Sequence, residues 1–331
     1  MQTRTLGRRG LAVTPLGLGL AALGRPGYIN LKHADDLQHD YSVEAMQAHA
    51  HAVLDAAWQA GIRYFDAARS YGRAEEFLGA WLTQRAIAPP AVTVGSKWGY
   101  TYVADWRVDA PVHEVKDLSL PVLRRQRAES ETNLNGYLKL YQIHSATLES
   151  GVFENRDVLR QLAAYRQAGL AIGLTLSGAR QAETLERAVQ ISLDGQPLFD
   201  CVQATWNLLE TSAGEALQAA HRAGLGVIVK EALANGRLTA KNDDPAFVPQ
   251  RALLEAAAHE LNASLDALCL AAVLAQPWAD VVLSGAATAD QLASNVKALD
   301  VSWSPAIAEK LAALAEPPER YWAARSALPW I

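Results

Sequence analysis

Cysteine is scarce, with only Cys201 and Cys269 in the 331-residue chain. Both stand in segments that read as buried, and two are too few for a disulfide framework, so the usage suits a reducing compartment. No stretch approaches the ~20 continuous apolar residues of a membrane span. Arg8-Arg9 and the Leu/Gly-rich run to Leu23 superficially match a twin-arginine leader. Pro15 and the glycines from Gly7 to Gly24 make that run a poor helix, and short strands and turns are expected there instead. The expected location is the cytoplasm. Charge of one sign is also lacking, the net being −5. The densest basic cluster, Arg124, Arg125 and Arg127, reads as one solvated helix face, so neither nucleic acid nor membrane is expected as a partner. His49/His51 and Cys201/Cys269 lack the further ligands of a metal site, and no metal is expected.

What is present is ordinary globular material, 50% apolar and 20% charged, enough for a large core. Length would permit two domains of about 150 residues or one α/β barrel with insertions. The pattern decides between them. Short β-branched or Leu-rich runs at Gly17–Leu23, Tyr64–Asp66, Val92–Ser96, Leu138–Ile143, Ala171–Leu176, Cys201–Ala204, Val227–Lys230 and Val281–Ser284 predict strands. Helical stretches at Val43–Ala60, Ala74–Gln84, Val122–Asn135, Asp157–Ala168, Ala179–Val189, Gly214–Arg222, Ser264–Ala275 and Ala286–Leu299 alternate with them. Gly61, Gly136, Gly169 and Gly224 each stand at a helix-to-strand joint, as expected of left-handed C-terminal caps.

Repeated helix–Gly–strand joints favour a parallel sheet with right-handed crossovers. A Rossmann sheet is the rival, but no Gly-x-Gly-x-x-Gly follows a strand and opens a helix. The expected fold is therefore a (β/α)8 TIM-type barrel, one domain over 1–331, with an N-terminal β-hairpin and long loops on the C-terminal face. Gly24–Ser42 and Trp98–Leu118 are those loops, and loops after barrel strands wall the substrate pocket. The Trp/Pro-rich tail 316–331 is expected over the active-site face or packed on the barrel.

Several strands end in reactive side chains. Asp66 closes the second strand, with Tyr71 five residues on; Lys97 follows the third and His144 the fourth. Singly, each has an ordinary structural explanation, such as a turn cap, a packed aromatic, a snorkelling lysine or a satisfied histidine. Barrel geometry brings all of them to one mouth. The Asp-x-x-x-x-Tyr-Gly pattern Asp66-Ala-Ala-Arg-Ser-Tyr71-Gly72, with Lys97 and His144 in matching order, resembles the aldo-keto reductase family. The likeness runs from "LGRRGLAVTPLGLG" to "VVLSGAATADQLASNVKAL".

That resemblance implies a barrel that binds a nicotinamide dinucleotide without a Rossmann fold. It implies that Tyr71 is the general acid/base, that Lys97, paired with Asp66, lowers the phenol pKa from about 10, and that His144 orients the substrate oxygen. It also implies a cofactor site at Ser284, Gly285, Ala286, Thr288, Gln291 and Asn295, where the last barrel helix begins. Thr175 and Ser177 stand near the usual Ser-Asn carboxamide pair, and Gln203 matches the usual glutamine. Lys230 replaces a nicotinamide-stacking aromatic and is expected to pair with Glu231. Leu233, Asn235 and Arg237 follow the seventh strand, with Arg237 expected on the pyrophosphate or in place of the missing 2′-phosphate cation. Trp98, Tyr100, Trp206 and the tail tryptophans are expected to form an aromatic substrate pocket.

The chain has Gly285, Ala287 and Gln291 where NADP-preferring relatives place Lys or Arg, so NAD(H) is expected to serve at least as well as NADP(H). The expected activity interconverts a carbonyl and an alcohol, with a small-molecule substrate. Two other functions are compatible: a nicotinamide-sensing regulatory subunit on the same fold, and an unrelated barrel isomerase or aldolase using Lys97 as a Schiff base.

Overall fold

The β-branched and Leu-rich runs form strands that are almost wholly buried, as expected where helices cover both faces of a parallel sheet. In a computed structural model describing residues 1–331 they are β1 (Leu16–Gly19), β2 (Tyr64–Asp66), β3 (Thr93–Trp98), β4 (Leu138–Ala146), β5 (Ala171–Leu176), β6 (Cys201–Thr205), β7 (Gly226–Lys230) and β8 (Val281–Ser284). They close into a barrel in sequence order, with Val282, Leu283 and Ser284 of β8 opposite Leu16, Gly17 and Leu18 of β1. The fold is the expected (β/α)8 barrel. Ser42, Asn155, Ser264 and Thr288 each cap a helix by accepting a first-turn backbone N–H on the side chain. Gly61, Gly136, Gly169 and Gly224 all adopt positive φ, as the joints predict.

The two ends of the barrel differ in polarity. The hairpin Arg4–Leu6/Leu11–Val13 plugs the N-terminal end, where Leu6 and Val13 pack against Tyr64, Leu140, Ile228 and Val281. At the opposite end the buried strand residues include Asp66, Lys97, Gln142 and Gln203. An apolar floor under a polar mouth leaves one end available for chemistry.

The loops hold more structure than the sequence predicts. β1 stops at Gly19 rather than Leu23: the Leu20 amide makes a last bond to the Asp66 carbonyl, and the chain then turns, Leu23 N–H donating back to Leu20 O. The loop after β1 contains the short helix His33–Asp36, and the loop after β3 contains the hairpin Tyr100–Tyr102/Glu114–Lys116. Val248–Glu260 is a further helix, missed because its buried positions are Leu254 and two alanines, Ala257 and Ala258. The tail serves both of its expected purposes. Tyr321 and Trp322, on helix Pro318–Ser326, pack into a secondary core, and the chain then returns to the mouth, where Ile331 and Tyr28 exchange backbone hydrogen bonds of 3.1 and 3.2 Å. No single helix is long and apolar enough to cross a membrane.

His33 is fully buried, and neither ring nitrogen has a partner. Burial, aided by the Lys241 charge, pushes its pKa down to about 4. A histidine held below its unfolded value contributes full stability above that value and loses it as pH falls, because the unfolded chain takes up a proton that the folded chain refuses. Stability is therefore expected to fall by about 2 kcal/mol between about pH 6.5 and pH 5 through this residue alone. Urea unfolding of wild type and His33→Phe at the two pH values measures it; equal pH slopes in both proteins would remove His33 as the cause.

Candidate active site

The loop after β2 is set by a close backbone crossing. Gly72 has φ +57°, and a Cβ there would lie 2.3 Å from the Gly24 carbonyl; one on Gly24 would lie 2.2 Å from the Tyr71 carbonyl. Two glycines back to back let the β1 and β2 loops touch, and Arg73 N–H donates to Gly24 O at 2.7 Å. That crossing fixes Tyr71 at the mouth. His144 is aimed differently: the β4–β5 register shifts between Ile143 and Ala146, and Ser145 has φ 52°. Bulges of this kind redirect side chains beside functional sites.

Asp66 and Lys97 form a buried ion pair through Asp66 Oδ1, and Lys97 Nζ also donates to Ala67 O at 2.9 Å. The other carboxylate oxygen accepts from Tyr64 Oη at 3.0 Å, Gln203 Nε2 at 3.0 Å and Gln142 Nε2 at 3.2 Å. Both carboxylate oxygens are thereby partnered, as a buried charge requires. Lys97 Nζ lies 4.8 Å from the centroid of the Tyr71 ring. His144 stands edge-on to Tyr71 at 5.6 Å between ring centroids and to Tyr100 at 5.0 Å. Asp66, Tyr71, Lys97 and His144 are one constellation.

Electrostatics depart from the expectation for Tyr71. Burial, with Asp66 adding to it, drives the phenol well above its ordinary value, and Arg25 is the cation opposing the shift. Desolvation is the largest cause and outweighs the charges around the ring. Burial, reinforced by Lys97 and Arg25, keeps the His144 pKa well below the usual histidine value, so its imidazole is neutral near pH 7.

The mouth opens into a cavity of about 630 Å³ that also reaches Ser177, Gln203, Lys230, Leu233, Asn235, Ser284, Gly285, Ala286, Gln291 and Asn295. Its size is in the range of ligand sites, about 300–1,000 Å³. The Oδ1 atoms of Asn235 and Asn295 are buried there with no partner, which suits a ligand bringing hydroxyl or amino donors. Several expected residues lie elsewhere. Arg237 is outside the lining and pairs with Glu316 at 2.5 Å. Thr175 is buried and accepts from Ser145 N–H at 2.7 Å, while Thr288 is spent on capping its helix. Trp98 is wholly buried, and Trp206 packs against Trp278 at 5.7 Å; of the expected aromatics, Tyr100 and Trp330 line the cavity.

Lys230 pairs with Glu231 at 3.6 Å, as expected, and donates to Thr205 Oγ1 at 2.8 Å; burial lowers its pKa to about 8. Arg325 from the tail grips Glu231 through both Nε and Nη2, and the Glu231 pKa falls to about 2, Arg325 being the largest cause that lowers it and burial opposing. At the far end lies a group that sequence patterning does not register. Asp36 accepts from Lys241 Nζ at 2.5 Å and from Gln291 Nε2 at 2.7 Å. Arg25, Tyr28, Asp36, Glu114, Lys241 and Arg325 all line the cavity. They come from loops and the tail, where no periodicity marks them.

The family model for the aldo/keto reductase family matches residues 15–316. The chain belongs to the aldo/keto reductase family. This aldo/keto reductase is therefore an oxidoreductase of carbonyls and alcohols. It is 40% identical over 100 residues to the pyridoxal 4-dehydrogenase of Microbacterium luteolum, a match covering 30% of this chain and 24% of that one. YqkF of Bacillus subtilis, an uncharacterized oxidoreductase, is 26% identical over 320 residues, with 90% of this chain and 91% of that one covered. The holo form of an aldo-keto reductase from Bacillus halodurans shares the fold, with a TM-score of 0.73 at 20% identity over 96% of this chain and 97% of that one.

Proposed function

We propose that this aldo/keto reductase interconverts an aldehyde, ketone or sugar carbonyl and the corresponding alcohol with a nicotinamide dinucleotide, using Tyr71 as its general acid/base. The observation that carries the reading is the buried Asp66–Lys97 pair beneath Tyr71, with neutral His144 edge-on beside it. Tyr71, kept protonated by its raised pKa, donates to the substrate oxygen in the reducing direction. Neutral His144 holds that oxygen by donating a hydrogen bond, whereas a charged imidazolium would be a second acid competing with Tyr71 to protonate it. When bound, the dinucleotide supplies or accepts the hydride. Ser284, Gly285, Ala286, Gln291 and Asn295 would hold its adenosine side and Ser177 and Gln203 its nicotinamide side. Gln203 would do so with its Nε2 already committed to Asp66. A kinetic screen of carbonyls and alcohols with NAD(H) and NADP(H), in both directions, tests the reading; no turnover with either cofactor would sink it.

NAD(H) is the cofactor that the far end of the cavity favours. Lys241 is the cation lining that end, and Asp36 already neutralises it. A 2′-phosphate would have to displace that carboxylate, whereas a carboxylate beside the adenosine ribose suits a free diol. Asp36→Ala frees Lys241 and is expected to tighten NADP+ by about tenfold relative to NAD+, or about 1.4 kcal/mol. Dissociation constants of both dinucleotides, read from tryptophan fluorescence in wild type and variant, decide it; an unchanged ratio counts against the assignment.

A further inference from the structure

Arg25 stands directly after the Gly24 crossing and is 2% exposed. Three rings hold its guanidinium: Cζ lies 4.6 Å from the Trp330 centroid and 5.2 Å from those of Tyr28 and Tyr71. Nη1 donates to Ser70 O at 2.8 Å and to Glu114 Oε2 at 3.0 Å. Nε is buried without a partner, and the side chain lines the cavity beside Tyr71. A buried guanidinium with one nitrogen satisfied and another orphaned is costly unless a ligand completes it. Its surroundings select the ligand. Glu114 and Glu231 face the same space as Arg25 and Arg325, so an anion meets carboxylates and an alkyl chain meets unsolvated charges. Hydroxyl groups, which both donate and accept, satisfy both kinds of partner.

We infer that Arg25 is a specificity-determining residue that binds an oxygen on the carbon next to the reacting carbon, so that α-hydroxy carbonyls and their vicinal diols are the substrate class. The inference rests on the functional reading above and deepens it. Tyr71 engages the reacting oxygen, and Arg25, whose Cζ lies 5.2 Å from the Tyr71 ring centroid, meets the neighbouring one. The preference arises because a substrate without that oxygen leaves the buried guanidinium unpaired.

Lactaldehyde and propanal differ only in that hydroxyl. The ratio of their kcat/KM values in wild type is expected to favour lactaldehyde by about tenfold or more. In Arg25→Met the ratio should collapse to within about twofold of unity, through a rise in KM for lactaldehyde. Arg25→Lys keeps a charge for Ser70 and Glu114 but loses the fork, and it should retain part of the preference; it serves if the methionine variant does not fold. A wild-type ratio near one, or a ratio unmoved in the variants, overturns the assignment while leaving the activity standing. Turnover of neither aldehyde by the unmodified chain, with either cofactor, overturns the functional reading and this inference with it.

Discussion

Tyr71→Phe is expected to lower kcat for carbonyl reduction by about 10²–10⁴ while dinucleotide binding persists. The substitution removes one oxygen and leaves the ring that packs against Lys97, Arg25 and His144. The loss therefore reads as proton transfer rather than as collapse of the site. Because burial and Asp66 hold the phenol far above its ordinary value, wild-type reduction should stay level from neutral into alkaline pH. Alcohol oxidation needs Tyr71 to accept a proton and should climb with pH over the same range. Retention of more than about a tenth of the wild-type rate in Tyr71→Phe would remove Tyr71 from the chemistry.

The second large effect concerns stability. Asp66→Asn leaves the Lys97 ammonium, 1% exposed, without its counter-charge, and removing one partner of a buried pair costs about 3–5 kcal/mol. Asp66 also anchors Tyr64, Gln142 and Gln203, so a part of the loss is three weakened hydrogen bonds. Replacing both charges, as in Asp66→Asn with Lys97→Met, should restore much of the stability, since the desolvation penalty of Lys97 vanishes with it. Urea denaturation of the single and double variants, at constant m-value, separates these contributions. A double variant no more stable than Asp66→Asn would show that the hydrogen bonds, and not the charge pair, dominate.

The residue types at the strand ends are readable because a parallel barrel has a fixed polarity: whatever ends one strand meets whatever ends the others. Hence Asp66, Lys97 and His144, far apart in sequence, are predictable companions, and Tyr71 follows from its short tether to Asp66. The aromatic residues show where this reasoning fails. Trp98 and Trp206 also stand at strand ends, yet both are buried in the core rather than in the cavity lining, because strand position alone does not say whether an indole turns into the barrel or beneath its helices. Arg237 fails for another reason. A cation in the loop after β7 takes whichever carboxylate the folded chain brings to it, and Glu316 of the tail captures it.

The sequence by itself determined the eight βα units, the left-handed glycine caps and the meeting of Asp66, Tyr71, Lys97 and His144 at one mouth, since periodicity, helix punctuation and strand polarity are local properties that act before packing. Tertiary structure alone decided what surrounds that constellation. The pairing of Asp36 with Lys241, of Arg325 with Glu231 and of Arg25 with Glu114 joins segments separated by 205, 94 and 89 positions. Those partners are chosen by how loops and tail fold back over the barrel mouth, where Coulomb attraction in a poorly solvated cavity, rather than any repeating pattern, selects the contacts.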